Sequence, residues 1–217
     1  MRAPCLVVAA LAFATHALAQ AEPALEMDYS NPGLTPSHWV LSLSPDGSGH
    51  FRSEHGDAPM DPSQGMQAAD VDRDIHVAKG FAQRAFATAH QHQLFASGCE
   101  SHLKVAFQGW KKISYKGMDG EGSCSFNYSK EKDIQGLGDS LVAVAAAIVE
   151  GARLETLLQH DRLGLDKETE FLVEAVGDGR VQQVCTIKGI LQRLAEDPEV
   201  MDRVRKRAKL LLARAEG

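Results

Sequence analysis

The stretch HWVLSLSPDGSGHF, residues 38–51, decides the fold. Trp39, Leu41 and Leu43 alternate with Val40, Ser42 and Ser44, the period of a strand with one buried face. Pro45-Asp46-Gly47-Ser48-Gly49 supplies turn chemistry, and Phe51 then resumes the apolar row, so a β-hairpin is predicted. Residues 54–66 are rich in Gly, Pro and Asp and read as a loop. Val71, Ile75 and Val77 then face one way and Asp70, Asp72, Asp74 and His76 the other, which predicts a third strand whose inner row Arg73 interrupts. From Lys79 the period changes: Phe81, Ala82, Ala85, Phe86 and Ala89 recur at helical spacing, predicting a helix to about His92 that packs Phe81 and Phe86 on the sheet.

A second hairpin follows. Leu103, Val105 and Phe107 alternate, Gly109 admits a kink, and Ile113 and Tyr115 lead into the glycine-rich turn at 117–122; Cys124, Phe126 and Tyr128 alternate on the return. Beyond it no strand pattern recurs. Asp139 or Ser140 is read as the cap of a long helix through Leu158, with Leu141, Val144, Ala145, Ile148, Ala152 and Leu158 along one side. Further helices are expected over 166–176, 181–195 and 198–215, the last capped by Asp197, opened by Pro198 and buried along Val200, Val204, Ala208 and Leu211. Asp197-Pro198-Glu199-Val200, with Val204-Arg205 and Ala208, resembles one unit of the HEAT helical repeats; a lone unit implies docking on the N-terminal part. The fold class expected is α+β: an antiparallel sheet from two hairpins plus one further strand, packed by one or two helices and followed by a C-terminal helical region.

Arg2, the apolar run from Leu6 to Phe13 and Ala17-Leu18-Ala19 read as a signal peptide over residues 1–19, which predicts a secreted or periplasmic protein. The expected organisation is then an extended N-terminal segment at 20–37, interrupted by three prolines, an α+β domain at 38–160 and a helical region at 161–217. No apolar run approaches the ~20 residues that a membrane-crossing helix needs, so no membrane span is expected. The net charge of −6 argues against nucleic acid as a partner. With Cys5 removed in the leader, Cys99, Cys124 and Cys185 remain. Export makes a disulfide between Cys99 and Cys124 the expected pairing, stabilising by roughly 3 to 4 kcal/mol through loop closure. Cys185, beside Val184 and Ile187, is then an unpaired small hydrophobe in a helix.

Several constellations carry possible chemistry. Gly138-Asp139-Ser140-Leu141 resembles the block that names a family of serine esterases and lipases, which implies a nucleophilic serine; no Asp-x-x-His follows, so His102 or His160 would have to serve Ser140 from a distance. Asp70, Asp72 and Asp74 open like a calcium loop, but Ile75 stands at the turn glycine and Phe81 at the closing glutamate. Asp72, Asp74 and His76 still share a strand face and form a weak cation candidate. His90 and His92 are two apart, a spacing that points them to different sides of a helix, so no metal and no cofactor is expected. The basic run 203–209 reads as the wet side of the last helix. Trp110, Lys111, Lys112 and Tyr115, beside the glycine-rich turn, form a candidate interaction surface of mixed aromatic and cationic character.

With no assembled nucleophile and base, no catalytic residue is assigned. The expectation is an exported, non-catalytic binding protein whose partner is another exported or envelope protein. The layout of hairpins, packed helix and bridge resembles small exported proteins that inhibit proteases or bind a partner through a sheet edge or loop. A Ser140 hydrolase and a cation-binding module stand as the alternatives.

Overall fold

A computed structural model describes residues 22–54, 56 and 70–215. The proposed leader and most of the loop at 54–66 lie outside the described residues. Six strands form one antiparallel sheet: β1 (Ala24–Ser30), β2 (His38–Leu43), β3 (Ser48–Glu54), β4 (Val71–His76), β5 (Trp110–Gly117) and β6 (Gly120–Phe126), in the order β4-β3-β2-β1-β5-β6. Five α-helices complete the α+β fold: α1 (Lys79–Gln91), α2 (Lys132–His160), α3 (Gly164–Gly177), α4 (Lys188–Glu196) and α5 (Asp202–Ala215).

The two hairpins and the further strand form as expected, and β1 joins them from within the segment read as an extended lead-in. It is no lead-in: β1 pairs with both β2 and β5 and so lies inside the sheet. Leu25, Met27 and Tyr29 point into the core while Glu26 and Asp28 point out, a strict alternation. Pro23 and Pro32 flank the strand outside its ladder, where a missing N–H interrupts no pairing.

One face of the sheet is covered. Phe81, Ala82, Ala85, Phe86 and Ala89 of α1 and Ile134, Leu137, Leu141, Val144 and Ile148 of α2 pack on Leu25, Met27, Leu41, Phe51, Ile113 and Phe126. Arg73 on the inner row of β4 is accommodated because its guanidinium reaches Glu155 of α2, with N–O distances of 2.9 and 3.3 Å.

α2 begins at Lys132, two turns before the expected cap, so Asp139 and Ser140 lie inside it. Ile134 and Leu137 continue the buried stripe toward the N-terminus, and that burial outweighs the low helix propensity of Gly136 and Gly138. With 29 residues the helix runs about 43 Å. Its other side, at Ala147, Leu154, Leu157 and Leu158, enters a second core with Leu165 and Leu172 of α3, Ile190, Leu191 and Leu194 of α4, and Val204, Ala208 and Leu211 of α5. A single helix therefore belongs to both cores. Gly151 permits this close packing, since a Cβ there would collide with Ile187.

The expected helix at 181–195 starts instead as a 3₁₀ turn at Val184–Ile187 before α4, and Cys185 is half-buried, its thiol 3.7 Å from the carbonyl of His76. α5 starts at Asp202 rather than 198, because Asp197 turns the chain with its own carboxylate, accepting the Glu199 N–H at 2.9 Å. Val200 still joins the buried line.

Candidate interaction surface

Leu103, Val105 and Phe107 do not extend β5. The strand begins at Trp110, and residues 102–108 form a loop outside the sheet. Gly109 makes the turn into β5 with φ of +101°, where a side chain would be strained and would also strike the ring of Tyr29. The alternation thus belongs to a loop whose apolar side chains face water: Leu103 is 50%, Val105 39%, Phe107 52% and Trp110 51% exposed. Phe107 and Trp110 meet edge to face with centroids 6.2 Å apart.

The loop's base is fixed from both sides. Upstream, the Cys99–Cys124 disulfide, with Cα atoms 5.7 Å apart, ties the segment after α1 to β6, and Ser101 N–H donates to the Tyr128 carbonyl at 2.9 Å. Glu100 accepts the Asn127 N–H at 2.7 Å and the His102 N–H at 3.1 Å. Downstream, the Asn127 side chain accepts the Gln108 N–H at 2.6 Å and donates to the Ala106 carbonyl at 3.2 Å, while Tyr29 Oη donates to the Gln108 carbonyl at 2.8 Å. The Asn127 hydrogen bond, followed by that from His102, holds the Glu100 carboxyl below its ordinary 4.5. Its contribution is present above that value and is lost as pH falls through the depressed one, so acid loosens the upstream anchor.

The four residues singled out as an interaction surface divide between two sides of β5. Trp110 and Lys112 lie on the open face of the sheet, whereas Lys111 and Tyr115 are buried on the helix-covered side. Strand pleating makes the split unavoidable, since odd and even positions point opposite ways. Tyr115 packs against Phe86 and His90 and donates to Asp119 at 2.6 Å; burial, reinforced by Asp119, pushes its hydroxyl up to about 12. The candidate surface therefore consists of exposed Trp110 and Lys112 together with Leu103, Val105 and Phe107 of the loop.

Ser140 sits in the N-terminal third of α2 beside a cavity of about 340 Å³ that Arg84, Thr88, Asp133 and Gln182 also line. Among the described residues it makes no hydrogen bond to an imidazole, and the cavity lining contains none. His160 is twenty residues further along the same helix, about 30 Å away. His102 lies on the exposed loop. The block Gly138-Asp139-Ser140-Leu141 thus lacks the strand-to-helix turn that would present a nucleophile.

Asp72, Asp74 and His76 share the open face of edge strand β4. His50 on β3 lies 3.0 Å from Asp72 and 2.9 Å from Asp74, and the hydrogen bond to Asp74 raises the imidazole above its ordinary 6.5. The two carboxylates are thus paired with a histidine across the strands. Among the described residues no group of three His, Cys, Asp or Glu side chains is placed to hold a metal ion. Nor is any described helix long and apolar enough to cross a membrane.

No protein-family model matches this chain, and no curated protein matches its sequence.

Proposed function

We propose that this is an exported, non-catalytic binding protein that engages another exported or envelope protein through the ridge of Leu103, Val105, Phe107 and Trp110, as an inhibitor-like loop does. The observation that carries the reading is four apolar side chains, each 39% exposed or more, on a backbone held at both ends by hydrogen bonds. Apolar surface of this kind rimmed by polar groups marks interaction sites, and an anchored loop loses little entropy on binding. The intramolecular disulfide at its base is consistent with an oxidising, extracytoplasmic compartment.

Magnitudes define the ridge's share. Covering the exposed parts of these side chains buries on the order of 300 Å², worth roughly 7 kcal/mol gross. Association costs about 4 to 15 kcal/mol, and a stable interface needs about 800 Å² per partner. The ridge therefore acts as a central anchor, and the open sheet face around Lys112 supplies the rest. The test is affinity capture from the exporting cell's envelope with the native chain and with a Leu103→Ser/Phe107→Ser/Trp110→Ser variant. The reading expects a discrete partner with the native chain, at least tenfold depleted with the variant; equal recovery, or none by either, contradicts it.

A further inference from the structure

Lys111 is 2% exposed, yet its ammonium is incompletely served by the fold. Nζ donates to the Asn127 carbonyl at 3.2 Å and lies 5.8 Å from the centre of the Phe126 ring. An ammonium has three donors. Among the described residues no carboxylate lies within ion-pair distance of it; Asp139 and Glu100 act on it only from further away. Burying an ammonium without a close counter-charge is unfavourable, a penalty that a methionine of similar shape would avoid. Burial holds its affinity for a proton below the ordinary lysine value.

The lysine borders a cavity of about 390 Å³, within the range of small-molecule sites. The cavity lies where the N-terminal and C-terminal parts meet: Gln108 and Lys111 come from the sheet side, Asp139 and Val142 from α2, and Asp178 and Arg180 from the chain after α3. Its wall is fixed by the Gln182 N–H, which donates to the Ala143 carbonyl at 3.1 Å. Arg180 at the rim engages Asp178 through Nε at 2.8 Å while its guanidinium carbon lies over the Phe171 ring, 5.1 Å from the centroid. Val142 and Ala143 contribute apolar side chains to the lining.

We propose that this cavity binds a small aliphatic carboxylate, its anionic head between Lys111 and Arg180 and its alkyl part on Val142 and Ala143. The carboxylate supplies the counter-charge and acceptors that the fold withholds from Lys111. Asp139, whose carboxylate accepts from the Gln135 amide at 2.8 and 3.0 Å, also lines the cavity, so a carboxylate that also carries an ammonium group is accepted. The site is distinct from the loop ridge, although Gln108, whose backbone anchors the loop, also lines the cavity.

The experiment is an NMR titration of the ¹⁵N-labelled full chain with propionate, with L-alanine and with inorganic phosphate, at constant ionic strength against sodium chloride. Propionate or L-alanine is expected to give saturable shifts at the amides of Gln108, Gly179 and Arg180, with at least tenfold weaker binding in Lys111→Met. Because that substitution removes a buried charge, the variant is expected to melt no lower than the native chain, which keeps loss of binding distinct from loss of fold. Shifts that do not saturate, shifts unchanged in Lys111→Met, or saturation by phosphate alone would each overturn the proposal.

Discussion

Asn127 shows how much of the surface depends on one side chain. Its amide serves the loop at Gln108 and Ala106, and its backbone N–H serves Glu100. Asn127→Ala removes the first two bonds and leaves the third. Each is partly solvated, so a global loss of about 1 kcal/mol is expected, a fall in Tm of roughly 2 to 4 °C. The local effect is larger: hydrogen exchange at 103–108 rises by an order of magnitude while the amides of β1 and β2 stay protected. A uniform rise across sheet and loop would show that Asn127 supports the fold rather than the loop. Nothing in the sequence announced this residue, because an asparagine after a strand reads as ordinary turn chemistry until its partners are in place.

At the level of elements, the hydrophobic period was a good guide wherever one face was buried and a poor one elsewhere. β2, β3, β4 and α1 follow from alternation and helical spacing because their apolar residues do enter the core. Leu103, Val105 and Phe107 carry the same alternation and form no strand, since period alone does not say whether the marked face is covered. β1 was masked by its neighbouring prolines, although Leu25, Met27 and Tyr29 spell its inner row. For α2, the capping chemistry of Asp139 and Ser140 suggested a late start that the burial of Ile134 and Leu137 overrides.

The contact between α2 and α3 holds a polar group that composition could not reveal. Glu150 and Glu168 approach one another beside Arg153, whose Nε lies 3.0 Å from Glu168. Burial, then the neighbouring Glu168 carboxyl, pushes Glu150 up to about 8. The folded state therefore holds a proton that the unfolded chain releases near 4.5. The stabilisation is complete below that value, and stability falls as pH rises toward 8. Thermal melting should show Tm declining by several degrees from pH 5 to 8, with Glu150→Gln flattening the slope. An unchanged slope in the variant would place the proton elsewhere.

For the whole molecule, α2 joins the sheet to the C-terminal helices by burying one side in each core. The helical region thus docks on the N-terminal part, and its chain after α3 reaches the Lys111 cavity. The covered face gives the molecule its stability, and the opposite end of β5 presents the ridge. The fold class and the bridge were legible in the sequence because both rest on local pattern and cysteine chemistry. The candidate surface was legible only in part: Trp110 and Lys112 were named, but their separation from Lys111 and Tyr115 depends on strand register, and the exposure of the loop depends on what fails to cover it.

The most direct test is a photo-crosslinking residue placed at Phe107 in the full chain, with exposed Lys167 of α3 as the control position, irradiated in the cell that produces the protein. A single covalent adduct with another protein, formed at 107 and absent at 167, is the expected result. Equal labelling from both positions, or no adduct at 107, would contradict the ridge as the binding surface.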